Sequence, residues 1–276
     1  MFRVFSLVAL IACLVCTTAF AGGSGNCVQP LKATTDHYGA GVSFGYNYVG
    51  SRMMDLYNYG RDAKNVNVSK VSQVYGQIPV GLNDSSNLYL KVGAADYDLK
   101  YKDKDNSDET VKVKLDPGIY VGGGYRAVIP MEDWKMGQLS FGIGYDLQMN
   151  AFLNKVKGVE TDAGAASNED GDLYGLDGEE SIYITCTYKA EKLNTTFVPY
   201  LGVYHSWFAI GTLQELKYTR SGASTETTGD IQGAFDTLSF GLLLGLDIEI
   251  TKYCCLNVEG RLIGENAITT GATLKF

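Results

Sequence analysis

The chain has 276 residues, with 33 glycines, 19 tyrosines, only 5 prolines and a formal net charge of −8. That length fits a single all-β domain, and the acidic balance argues against a nucleic-acid partner. The 6 cysteines are too few for a disulfide scaffold, and beyond the apolar leader that holds Cys13 and Cys16 no C-x-x-C pair suggests zinc.

The leader comes first. Arg3 is basic, Phe5 to Cys16 is apolar, and Ala19 and Ala21 are small. That spacing predicts a signal peptide over 1–21, cleaved after Ala21. The apolar run is shorter than the roughly 20 residues of a membrane-spanning helix. A lipoprotein signal ending in LIAC at Cys13 is a second alternative, but it would leave a very short apolar segment. Residues 22–37 are expected as a periplasmic segment and 38–276 as the folded domain. No later stretch has ~18 consecutive apolar residues.

From residue 38 onward, apolar and polar residues alternate. YGAGVSFGYNY sets Ala40, Val42, Phe44, Tyr46 and Tyr48 against Gly39, Gly41, Ser43, Gly45 and Asn47. A period of two means extended strand. Ten such segments follow in order, at roughly 38–49, 68–79, 87–101, 112–127, 137–150, 179–192, 195–211, 233–250, 253–263 and 267–276. Each can supply the roughly 9–11 residues that a tilted strand needs to cross a bilayer. Long polar connections follow the odd-numbered segments, the longest being GVETDAGAASNEDGDLYGLDG; the ninth, GEN, is short. The others are shorter, down to KLN and TK, with VIPMEDWKM after the fourth segment. Long loops at one end and short turns at the other predict an antiparallel up-and-down transmembrane barrel with both termini on the short-turn side. Eight or twelve strands are the alternatives to ten.

A soluble sandwich or lipocalin-like barrel would also alternate, so the polar face decides. Here it carries glycines at 39, 41, 45, 93, 122, 124, 142, 144, 202 and 245. Isolated charges sit among them at Lys91, Arg126, Asp146, Lys189, Asp247, Glu249, Glu259, Arg261 and Lys275. Small residues beside a few large polar ones suit the inside of a narrow barrel. The apolar face is nearly free of charge, as lipid requires. Tyr46, Tyr48, Tyr145, Tyr188, Trp207 and Phe276 fall near strand ends, where aromatic girdles belong. The chain stops on ITTGATLKF, in the middle of an alternating strand. That ending is expected if the last strand closes the barrel against the first.

The leader, the alternating strands and the terminal TTGATLKF resemble the bacterial outer-membrane β-barrel superfamily. Within it, TTFVPYLGVYHSWF and LNVEGRLI resemble strands of the small OmpA-type barrels. The resemblance implies residence in the outer membrane of a diderm bacterium. It also implies that the final strand, with Phe276 and Leu274, is the signal read by the barrel assembly machinery. The chain ends at the barrel, so no peptidoglycan-binding domain is expected after it.

Chemistry is sparse. His37 precedes the first strand. His205 adjoins Ser206, but neighbours on a strand face opposite ways, so a dyad is not expected. A partner such as Glu215 or Asp236 would be needed for a rim enzyme. In SNEDGDLYGLDGEE, Asn168, Asp170 and Asp172 alternate as in a calcium loop, yet Leu173 stands where that loop needs glycine. The vicinal Cys254 and Cys255 are expected as free thiols, or with one of them bridged to Cys27. The expectation is a non-enzymatic barrel with a structural or narrow-pore role, without metal or cofactor. Its partners would be outer-membrane lipid and the assembly machinery, and it would be a monomer. The alternatives are a rim enzyme or a loop that binds a ligand. Arg261 is the expected hub of a plug, pairing near Glu259 and with Asp247.

Overall fold

The computed structural model describes residues 27, 31, 39–50, 52–53, 55–56, 63–103, 110–162, 164–166, 171–219, 226–235 and 239–276. The leader and His37 lie outside them. Strands β1 Gly41–Val49, β2 Arg52–Met53, β3 Asp55–Leu56, β4 Ala63–Asn83 and β5 Ser86–Asp103 come first. Then come β6 Thr110–Leu115, β7 Gly118–Met136, β8 Leu139–Thr161, β9 Gly164–Ala166 and β10 Asp172–Ala190. The chain continues with β11 Thr195–Thr219, β12 Glu226–Phe235, β13 Ser239–Thr251, β14 Cys254–Leu262 and β15 Ala267–Lys275. All pairings are antiparallel, and they close a ten-stranded barrel in which β1–β3, β6–β7, β9–β10 and β12–β13 each form one wall position. Closure runs from Gly41↔Lys275 to Val49↔Ala267. The Phe276 amide adds a bond to the Ala40 carbonyl at 2.8 Å. Closure leaves neither β1 nor β15 with an unpaired edge.

At one end the strands turn tightly, at 84–85, 137–138, 191–194 and 252–253. Gly137 and Asn194 take the left-handed conformation those turns need, with φ of 62° and 48°. The VIPMEDWKM stretch, expected as a connection, belongs to β7. It pairs with β8 through an irregularity between Met131 and Lys135. At the other end most of the expected long loops are strand: β4 starts at Ala63, β8 runs to Thr161 and β10 starts at Asp172.

The reason is an inversion of the hydrophobic phase along single strands. In the lower part of β5, Leu88, Leu90 and Val92 are exposed and Lys91 is buried. Further up the same strand, Ala95, Tyr97, Leu99 and Tyr101 are buried, while Lys100 and Lys102 are exposed. On β8, Met149 and Leu153 are exposed, then Lys155 and Lys157 take the outside while Val156 and Val159 are buried. On β6, Val111, Val113 and Leu115 are buried between exposed Lys112 and Lys114. The inward face stays inward, since the side-chain period is two; on β8 an irregularity between Val156 and Gly158 brings both Val156 and Val159 inside. Only the surroundings change. The barrel has a lower storey with an apolar exterior and an upper storey built like a water-soluble protein, apolar inside.

The upper interior is packed. Tyr97 stacks on Phe152 with ring centroids 4.4 Å apart, and Phe152 on Phe208 at 5.1 Å. Outside it, Lys114 and Glu160 pair at 2.6 Å, both about half exposed, so the pair contributes little stability. The Lys114 ammonium holds the Glu160 carboxyl below its ordinary value. The Thr110 amide does the same for Asp162.

In the lower storey, inward glycines receive tyrosine rings from neighbouring strands. Gly144 lies opposite Tyr183, and Gly245 opposite Tyr200. A β-carbon at either glycine would overlap the tyrosine ring. The rings therefore lie along the wall and leave the axis to the charged side chains.

Candidate functional site

The mouth at the short-turn end carries an N-terminal tether. Cys27 is disulfide-bonded to Cys255, an inward residue of β14. Both are buried, as is Leu31, whose carbonyl packs where a side chain at Gly81 would project. Of the two open alternatives, the partner of Cys27 is thus Cys255. Cys186 and Cys254 are free. Beside the tether a vestibule of about 650 Å³ is lined by Leu31, Lys189, Glu249, Lys275 and Phe276, among others. Lys275 and Glu249 form an ion pair across it.

Above the vestibule the lumen fills with charge. Arg126 and Arg261 are only 2% and 1% exposed. Arg126 stands directly opposite Asp146 on the β7–β8 ladder and donates Nε to its Oδ2 at 2.8 Å. Tyr89 donates its hydroxyl to the same carboxylate at 3.0 Å. Arg261 is held by three carboxylates: Glu179, Glu259 at 2.9 Å and Glu265 at 3.3 Å. Tyr200 donates to Glu259 at 3.0 Å, and Gln148 to Glu179 at 3.0 Å. Lys91 sits 3.8 Å above the Tyr75 ring and donates to Gln148 at 3.4 Å. Charges this deep need such partners, because desolvation is costly. Next to the Arg261 cluster a cavity of about 40 Å³ touches Gln73, Asn150, Asp177 and Ser206. It has room for a few waters and no more.

The expected charged residues are all inward, but the expected pairing is only partly right. Arg261 meets Glu259 and not Asp247. Asp247 lies opposite Asn257 and accepts its amide at 2.6 Å. Arg261 lies opposite Leu243, four residues along β13, so its guanidinium extends across the lumen to β10. Glu179 and Glu265 are the partners that sequence reasoning missed. Hairpin order places neighbouring strands side by side, but it does not say which strands face each other across a barrel. Glu179 also stood at the edge of a stretch expected as loop.

Other candidate chemistry is scattered. His205 is on the outer face, its ring 4.7 Å from that of Phe240, while Ser206 is buried inside. Asp236, Asn168 and Asp170 lie outside the described residues, as does the side chain of Glu215. Asp172 is in β10. Among the described residues, Cys27, Cys255 and Asp247 cluster closely enough to hold a metal ion. The two sulfurs are bonded to each other, so that set offers no thiolate.

No protein-family model matches the chain, and no curated relative does. Its structure is similar to that of the outer-membrane protease OmpT from Escherichia coli. The TM-score is 0.44 and the identity 11%, over 91% of this chain and 100% of that one. It is also similar to the outer-membrane protein OprG from Pseudomonas aeruginosa, with TM-score 0.37, 12% identity and 91% and 99% coverage. The translocator domain of the autotransporter NalP from Neisseria meningitidis gives 0.42, 8%, 86% and 87%.

Proposed function

We propose that the chain is an outer-membrane barrel of a diderm bacterium whose lumen is largely plugged by its own side chains, with a structural or narrow-pore role. The observation that carries this reading is the pairing of opposites in the lower storey. Leu90, Leu201, Ile129 and Phe44 face outward at 60% exposure or more, while Arg126, Arg261 and Lys91 are buried at the axis. Lipid around the wall is the environment that makes this distribution favourable, since a charge on the lipid face costs roughly 2–4 kcal/mol at the midplane. A ten-stranded lumen is narrow enough for side chains to fill. In this reading the barrel assembly machinery recognises the last strand through Leu274 and Phe276, both exposed. No catalytic residue is assigned.

Expressed with its leader, the chain should fractionate with outer membranes. It should also run faster on a detergent gel unheated than boiled. Release into a detergent-free periplasmic extract would contradict the membrane location. Phe276→Ala should lower the amount of folded barrel in membranes, and undiminished yield would remove that residue from the assembly signal.

A further inference from the structure

The outward face of β10 and β11 breaks the rule that the rest of the belt obeys. Glu180 is exposed on that face, directly opposite His205 on β11 and Leu147 on β8. Above it on β10 is Leu176, 46% exposed, and below are Ile182 and Ile184, 56% and 55% exposed. On β11 the outward residues below His205 are Leu201 and Val203, 62% and 55% exposed, and above it comes Trp207. A carboxylate and an imidazole thus sit side by side on an apolar wall. No hydrogen bond or ion pair joins Glu180 to another described side chain, and the contact of the His205 ring is with Phe240.

Polar side chains facing hydrocarbon are unfavourable, and in membranes they pair with one another or face a partner. Lipid headgroups do not fit here, because the carboxylate repels their phosphates. We propose that, in place of the monomer expected from the sequence, this face is where two copies of the chain meet. A two-fold axis along the membrane normal would pair Glu180 of each copy with His205 of the other. Two-fold contacts must be self-complementary, and an acid beside a base meets that condition. Neighbouring strands are ~4.8 Å apart, so both side chains lie at nearly the same depth, as such an axis requires. The surface is also fixed in shape. Trp207 packs over Gly178, where a β-carbon would overlap its ring, and His205 is held against Phe240.

The proposal rests on the membrane location proposed above, and the test separates the two. Sedimentation would give the mass of the full chain in detergent micelles, and energy transfer between labelled copies would report association in phospholipid vesicles. The wild type should have twice the chain mass. Glu180→Gln and His205→Gln should each halve it at the same concentration, and the exchange of Glu180→His with His205→Glu should restore it. Heat-modifiable mobility shows that each variant has folded, since these side chains point away from the lumen. A wild type of single-chain mass in both media overturns the proposal. So do single variants that stay dimeric, an exchange that restores nothing, or a different protein bound to this face. Solubility without detergent would instead count against the membrane location, while the mass still decides the dimer.

Discussion

Arg261 is the side chain on which most of the lumen converges. Its three carboxylates come from β10, from β14 itself and from the short connection before β15. Removing it leaves Glu179, Glu259 and Glu265 buried together without their shared cation. Breaking a buried pair by deleting one partner typically costs about 3–5 kcal/mol, so Arg261→Ala should lower the unfolding free energy by that order, and the urea midpoint with it. A midpoint equal to wild type would mean that the carboxylates are hydrated. The glycines offer a sharper steric contrast. Gly144→Ala places a methyl group into the Tyr183 ring and should destabilise by roughly 1–3 kcal/mol, the range for overpacking. Gly158→Ala meets nothing within 4 Å and should be neutral or slightly stabilising. Equal effects of the two substitutions in urea titrations would refute the ring-on-glycine packing. At this scale the sequence was informative about direction and silent about partners. The inward set from Lys91 to Lys275 could be read from alternation alone. That Arg126 meets Asp146 follows from the β7–β8 register, and that Arg261 reaches Glu179 follows from barrel closure. Neither is encoded in the spacing of residues along one strand.

Among the elements, the strands were legible where their outer face is apolar and illegible where that face turns polar. The lower half of β5 reads as strand because Leu88, Leu90 and Val92 alternate with small or polar residues. Beyond Asp96 the charges move to the outer face, and a run such as KYKDKDNSDET looks like loop although its first part, through Asp103, is strand. In β10 the run DLYGLDGEE also looks like loop, since it carries four carboxylates, yet it pairs on both sides, with Asp177 and Glu179 inward. The N-terminal tether is a separate element, and its cysteine partner could not be chosen between two adjacent residues. The strand settles the choice by alternation: Cys255 faces inward and is buried, while Cys254 is on the outer face. The bridge closes a loop with a sequence separation of 228, and cross-links of long loops stabilise by roughly 2–5 kcal/mol. Cys27→Ser should therefore lower the urea midpoint, whereas Cys186→Ser should not. Non-reducing peptide mapping should recover Cys27 linked to Cys255, and a Cys27–Cys254 peptide would contradict the register of β14.

Taken whole, the molecule is one closed wall with three fillings. A tethered vestibule lies at the turn end, a charged layer at mid-height, and an apolar core above. Each filling matches what surrounds the wall at that height. Charges are secluded where the outside is apolar, and apolar side chains are secluded where the outside is charged. A continuous water path would have to pass both the Arg126 and Arg261 layer and the Tyr97, Phe152 and Phe208 stack. Single-channel recording of the purified wild-type barrel in planar bilayers is the direct measure of that closure. No stable conductance steps of porin size are expected in moderate salt at modest voltage. Regular, long-lived steps of porin size from the folded wild-type protein would show an open lumen, and the plug would then have to be abandoned.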